Sequence, residues 1–503
     1  MALARPNPIR LQQGNPGMSP DAPSLHRLQR YEEIVPDWDT FVEANHTPEP
    51  TTLRIRRAWM GMDELTTRLG DQGFQVEAIR GLPDYLRVVD GPGSVAQTLE
   101  HWLGFFHIQQ AVMGLPSMAL APRPGERILD LCAAPGGKTA HLAELMGGRG
   151  PLVAVDPKEK RLRGLMANLS RMGYANILVI AADGRELPEA ASFDRVLVDA
   201  PCSAEGNYRK QEGDLPARTA SFEHYVTSLQ EALLRRAIEL TRPGGTIVYS
   251  TCTFAPEENE GVVDRVLADA PVQLESIDLP VVHAPGLTSW RGRRFAPEME
   301  RAWRVYPQHL DSGGLFMARL RKDEPGGTAP KEGWSPVPAA FPGQDEAAAQ
   351  ERIQGALTLL REEYGFDPSV LAKLGWMART DNIWVQTADE WPVERWRDHG
   401  GWRVVSLGLR AFRDAGGGKE TPSNNFVAAF AGALGSGRSR PLDRSELLHL
   451  LDGGAIQDPE LPAGPVVLLY QGQVLGRGMV GRGGLRHEIP RHQAARLRTI
   501  LTD

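Results

Sequence analysis

The chain is poor in cysteine and in aromatic residues, and it carries no excess of positive charge. Only 3 of its 503 residues are cysteine, too few for a disulfide framework. Cys132, Cys202 and Cys252 also lack metal-ligand spacing, so each is read alone, as a thiol in a reducing compartment, and no metal is expected. The formal net charge of -7 excludes a globally basic nucleic-acid binder, and any such role must rest on local patches. No apolar run approaches the roughly 20 residues of a membrane helix. The Pro- and Gln-containing start has no apolar core suited to a signal peptide. A cytoplasmic protein with no membrane partner is expected. The hydrophobic fraction of 41% and charged fraction of 24% are ordinary for a globular chain of more than one domain.

What is present is a change of period along the chain. Residues 1–25 are rich in Pro, Gly, Asn and Gln and are expected to be disordered. Over 26–115, an amphipathic stretch at 28–41, strand-like alternation at 51–57, 74–79 and 85–89 and a helix around 65–69 predict a small α+β module. Arg54, Arg56, Arg57, Arg80 and Arg87 give it either a face attractive to phosphate or an ordinary solvated face, and both readings stay open. Over 116–322, short apolar runs at 128–131, 152–156, 176–180, 193–199 and 246–252 alternate with helical stretches, which predicts an α/β fold with a parallel, doubly wound sheet. Residues 323–346 read as a linker. The 347–440 region is dense in Trp (Trp376, Trp384, Trp391, Trp396, Trp402) and needs its own core; its segment 415–419 reads as a mobile loop. Residues 441–503 hold a hairpin from Gly464 followed by Arg477, Arg482, Arg486, Arg491, Arg496 and Arg498, the most basic part of the chain.

The chemistry gathers at the ends of the apolar strands. Pro135-Gly-Gly137 between a strand and a helix lets backbone approach a ligand and exposes helix N-terminal amides. It matches neither the dinucleotide fingerprint nor the Walker loop. Asp156 ends the next strand, where an acid can accept both hydroxyls of a ribose. Asp183 follows the third, placed to meet an adenine edge, and Asp199 ends the fourth. Any one of these could be a cap; as a series they fit a nucleoside-type cofactor better. The stretch Phe193-Asp-Arg-Val-Leu-Val-Asp-Ala-Pro-Cys-Ser-Ala204 taken alone reads equally as a polar turn or as a ligand site. Cys202 and Cys252 both follow apolar strands, where a thiol of lowered pKa is an effective nucleophile. A disulfide or a redox pair is the rival reading.

Three ordered motifs, Asp130-Leu-Cys-Ala-Ala-Pro-Gly-Gly-Lys-Thr139, the 193–204 stretch and Tyr249-Ser-Thr-Cys-Thr-Phe254 followed by Pro256-Glu-Glu-Asn-Glu-Gly261, resemble those of the Nop2/Sun family of RNA cytosine-5 methyltransferases. The resemblance spans roughly residues 50–322. His107-Ile-Gln-Gln-Ala111 looks like the family's helix before the first catalytic strand. Tyr208-Arg-Lys210 and the long C-terminal extension look most like the bacterial 16S rRNA methyltransferase F type, whose extension ends in a PUA-like module. Ala204 stands where many members have Gly.

The resemblance implies a Rossmann-like methyltransferase domain using S-adenosyl-L-methionine. Cys252 would be the nucleophile at C6 of the cytosine, Asp199 would hold the base edge, and Cys202 would assist release. Cys132, Ala133, Ala134, Pro135, Gly136, Gly137, Lys138, Asp156, Asp183 and Asp199 would bind the cofactor, with Arg161 framing the pocket. Lys138 is open between a site role and a solvated helix position. The implied partner is RNA, 16S rRNA or the 30S subunit, bound by a monomer. A tRNA substrate and a non-catalytic assembly factor are the alternatives; an amino-methyltransferase is disfavoured, because it would carry an Asn/Asp-Pro-Pro-aromatic turn in place of Asp199-Ala-Pro-Cys202.

Overall fold

The computed structural model describes residues 25–188, 192–211, 215, 218–324, 334–392, 403–414, 420–435 and 438–502. The disordered start expected over 1–25 thus lies, apart from Leu25, outside the described residues, as do the 415–419 loop, Trp396 and Trp402.

Four strands, β1 (Thr52–Ile55), β2 (Gln75–Ala78), β3 (Tyr85–Asp90) and β4 (Phe106–Ile108), form an antiparallel sheet in the order β2-β3-β1-β4. Two readings of this module are corrected. The expected basic face of β1 is not a surface: Arg54 and Arg56 are buried. The cause is position, because β1 lies inside the sheet and Arg54 reaches the domain that follows, donating to Gly137 O. Arg54 Nε donates to Gln109 Oε1 at 2.9 Å, and the Arg56 guanidinium lies 3.4 Å from the Trp59 ring centre. Only Arg57 and Arg80 stay exposed, with Arg87 half-buried. The helix expected at 107–111 is instead the end of β4 followed by a 3-10 turn, Ala111–Gly114, since His107 pairs with Arg54 of β1.

The large sheet is built from β5 (Ile128–Asp130), β6 (Leu152–Val155), β7 (Ile177–Ala181), β8 (Phe193–Asp199) and β9 (Thr241–Thr251), all parallel, in the order β9-β8-β5-β6-β7. Their Val, Ile and Leu side chains are buried on both faces, as a parallel sheet covered by helices requires. The order reverses at β5, so a crevice opens at the carboxyl ends beside it. Antiparallel strands close both edges. Leu315–Lys322 pairs with β9, and Arg403–Leu407, from the Trp-rich region, pairs with β7.

That last pairing ties the Trp-rich region to the sheet. Trp384 and Trp391 are buried in the same apolar cluster as β7 and β8 residues, while Trp376 sits in a separate core with Phe412 and Phe426. Trp334, inside the expected linker, packs edge-on against Phe193 and donates to Ser192 O at 3.3 Å, so this position is part of the packed fold. The final sheet (Ser439–Leu442, Gly464–Tyr470, Gln473–Gly481, Gly484–His487) shares one core with the N-terminal sheet, with Leu53, Leu65 and Phe106 joining Leu447, Leu468 and Leu497. No described helix is long and apolar enough to cross a membrane.

Candidate active site

The register of β8 on β9 places Asp199 opposite Ser250, so the two loops that leave these strands start side by side. Cys202 Sγ and Cys252 Sγ consequently lie 3.3 Å apart, although 50 positions separate them. Asn207 Nδ2 donates to Cys252 Sγ at 3.3 Å from the other side. The hydrogen bond from Cys202 is the chief influence lowering the Cys252 pKa. Burial and Asp199 oppose it, Lys138 and Asn207 support it, and the net direction is down. The same bond and burial push Cys202 up, so Cys202 keeps the proton and Cys252 is the thiolate-prone member.

Asp199 is fixed at both oxygens. Ser250 Oγ donates to Oδ1 at 2.8 Å and Lys138 Nζ to Oδ2 at 2.8 Å. Ser250 is the penultimate residue of β9 and Cys252 lies just past its end at Thr251, so both leave the same strand end. Lys138 comes from the first turn of the Gly137–Leu145 helix and is buried, which removes the solvated reading. Burial opposes its charge, but Asp199 outweighs burial and holds the ammonium above its ordinary value.

Residues 132–138, Asp156, Arg161, Asp183, Asp199, Cys202 and Cys252 all line one cavity of about 630 Å³. Every candidate site residue read from the sequence is therefore brought to one place. Asp156 accepts from Lys158 N at 2.9 Å and pairs with Arg161 at 3.1 Å. Asp183 caps the turn after β7 by accepting from Arg185 N at 3.0 Å, and the Arg185 guanidinium holds its carboxyl below the usual range. The cap and cavity readings thus apply together, since the same bonds fix the carboxylates toward the cleft. Gly136 adopts φ 102, and a Cβ there would meet Leu165 at 3.0 Å. The loop therefore needs glycine both for its backbone and for its fit against the next helix.

Residues on one face of the Ala220–Leu240 helix (Phe222, Val226, Leu229, Leu233) supply an apolar wall opposite these acids. Asp130 is fully buried with its Oδ1 unpartnered, and burial pushes its pKa up to about 7. An apolar slot, acids at one end and an orphaned acceptor beside the glycine loop fit a cofactor made of a nucleoside joined to a charged aliphatic arm. Asp130, Ser250, Asn207 and Met113, whose sulfur lies 3.4 Å from Lys138 Nζ, join the site without a role that sequence pattern assigns them. Ser250 alone carried a signal, its two-residue spacing from Cys252.

A Rossmann-like sheet with this cleft at the carboxyl ends of its strands is suited to a nucleoside-type cofactor such as S-adenosylmethionine. The family model described as 16S rRNA methyltransferase RsmB/F matches residues 117–321. The Shewanella loihica protein named ribosomal RNA small subunit methyltransferase F is 32% identical over 476 residues, covering 90% of this chain and 91% of that protein. The chain belongs to the RsmB/F family. The human protein named 28S rRNA (cytosine(4447)-C(5))-methyltransferase is 34% identical over 66% of this chain, but the match spans only 40% of the human protein. A solved Pyrococcus horikoshii methyltransferase homologue superposes with a TM-score of 0.54 at 33% identity, over 60% of this chain and 99% of its own.

Proposed function

We propose that the protein transfers a methyl group from S-adenosyl-L-methionine to C5 of a cytosine in RNA, with 16S rRNA of the small ribosomal subunit as substrate, through a covalent bond between Cys252 and C6. The observation that carries this reading is the thiol pair at 3.3 Å beside the Lys138–Asp199 pair, at the mouth of a cofactor-sized cleft. The Shewanella relative's name supports the choice of small-subunit RNA.

Cytosine C5 is a poor nucleophile until a thiolate adds at C6, and Cys252 is the thiol favoured as thiolate. Asp199, steadied by Lys138 and Ser250, would hold the N3 edge of the base and stabilise the adduct; such preorganised contacts are worth about 3 kcal/mol. Residues 132–138, Asp156 and Asp183 would hold the cofactor. When bound, it supplies an electrophilic methyl group. Cys202 retains its proton while Cys252 is free; after methyl transfer a base removes the C5 proton, the C–H electrons re-form the C5–C6 double bond, and Cys252 leaves as thiolate, with Cys202 assisting that release. The target base must leave its stack to reach the cleft. The 26–115 and 441–503 regions, the latter PUA-like in this reading, would contact RNA with exposed arginines such as Arg80, Arg482, Arg486 and Arg491, the enzyme acting as a cytoplasmic monomer.

The test is tritiated-methyl transfer to 16S rRNA, with bisulfite sequencing to locate the base. Cys252→Ala should abolish transfer while cofactor binding by calorimetry persists. Near-wild-type turnover in that variant would remove Cys252 from the mechanism.

A further inference from the structure

The residues that follow the two thiols are joined to each other. Ser203 follows Cys202, Thr253 follows Cys252, and their hydroxyl oxygens are 2.7 Å apart. Thr253 Oγ1 donates to Glu205 Oε2 at 2.9 Å, so the Ser203 hydroxyl must donate to Thr253. Glu205 Oε2 also accepts from Tyr31 OH at 2.7 Å, and Oε1 accepts from Arg218 Nη1 at 3.2 Å. On the other side, Ser203 N donates to Glu258 Oε2 at 2.9 Å, which Gln230 Nε2 also reaches at 3.0 Å. Ser203, Glu205, Thr253, Glu258 and Tyr31 are all buried.

A buried polar chain of this kind is costly unless each member is satisfied. It also sits where the sheet no longer holds the loops in register. The β8–β9 pairing gives out after Ala200 N donates to Ser250 O at 2.9 Å; Gly206 N donates to Cys252 O at 2.9 Å further on. Cys202 lies between these two bonds and Cys252 at the second, and the Ser203–Thr253–Glu205 chain joins the two loops next to it.

We propose that Glu205, acting through Thr253 and Ser203, is a positioning residue that sets the separation of the Cys202 and Cys252 thiols. Tyr31, from the segment preceding the N-terminal sheet, locks Glu205 in place. A sulfur–sulfur hydrogen bond is short-ranged. Letting the loops part would break it and remove the chief influence that favours the Cys252 thiolate.

The proposal rests on Cys252 being the attacking thiol, and its first readout, alkylation, needs no RNA, so the two readings can fail separately. The full chain is alkylated with iodoacetamide across pH, and the Cys252 peptide is quantified by mass spectrometry. Thr253→Val should move the alkylation midpoint to higher pH and lower kcat roughly tenfold, with KM for S-adenosylmethionine unchanged. Thr253→Ser, which restores the hydroxyl, should recover both. Tyr31→Phe keeps the ring packed and should shift the midpoint in the same direction by less; it carries the test if the valine variant does not fold. An unchanged midpoint in Thr253→Val and Tyr31→Phe, or a serine variant as impaired as the valine one, would overturn the proposal. A wild-type chain that alkylates as expected but transfers no methyl group sinks the methyl-transfer reading alone.

Discussion

Lys138 Nζ and Asp199 Oδ2 stand 2.8 Å apart in a mostly buried pair that reaches across 61 positions of chain. One end starts the helix after the glycine loop and the other ends β8. The pair therefore links the cofactor half of the cleft to the thiol half. Removing the cation strips Asp199 of its partner and takes away one of the groups lowering the Cys252 pKa. Lys138→Met should cost on the order of 100-fold in kcat. It should also displace the acid limb of kcat/KM to higher pH, because the thiolate then forms later. A pH–rate profile superimposable on wild type would show that the pair is structural only.

Cys202 holds its proton 3.3 Å from the nucleophile. If it serves the step after methyl transfer, Cys202→Ala should still form the bond to RNA and then stall. A denaturant-resistant RNA–protein band that grows with time is the expected signal. Its absence, with turnover intact, would reassign the release step to another group.

Asp130 gives the fold a pH dependence. Burial raises its pKa from 3.8 to about 7, so the folded state holds a proton that the unfolded chain gives up above about pH 4. The stability it contributes is full below that pH and is lost as pH rises toward 7, a change of order 4 kcal/mol in the absence of cofactor. Asp130→Asn should flatten this slope in urea titrations at pH 4.5 to 7. A slope equal to wild type would mean that the carboxyl ionises freely in the folded chain.

Ala204 stands in the left-handed region at φ 58, between the two residues of the proposed positioning chain. That conformation costs a non-glycine residue about 1–2 kcal/mol, while glycine costs about 0.4–1 kcal/mol through the unfolded chain. Ala204→Gly should therefore raise stability by about 0.5 kcal/mol in urea denaturation and leave the thiol separation unchanged. A loss of stability would show that the Ala204 methyl packs better than its backbone is strained.

The sequence showed most where local pattern and function coincide. Apolar runs that end in Asp156, Asp199 or Cys252 are strands because they are buried on both faces, and their polar ends mark the cleft. All of those residues line it. What could not be read came from long-range contact. Arg54 looks like a surface residue in an alternating strand, and only its place inside the sheet and its contact with Gly137 in the following domain bury it. Residues 107–111 resemble a helix of the family, yet pairing with β1 makes His107 and Ile108 the end of a strand. Asn207 has no spacing relation to Cys252 and is delivered by a 3-10 turn, Glu205–Asn207. The Arg403–Leu407 strand has no pattern that assigns it to β7, far upstream in the chain, and that partnership comes from edge pairing and from Val404 and Leu407 packing in the same core.

That edge strand decides where this enzyme can be divided. The family match stops at residue 321, but Arg403–Leu407 covers the free N–H and C=O groups of β7, with Arg403 anchored to Glu159 at 2.7 Å. A fragment ending at the match would present β7 as an open, apolar edge to any passing strand, the usual template for self-association. The residues assigned to the proposed reaction all lie within the first 322, whereas the strand that covers the β7 edge is supplied by residues beyond them.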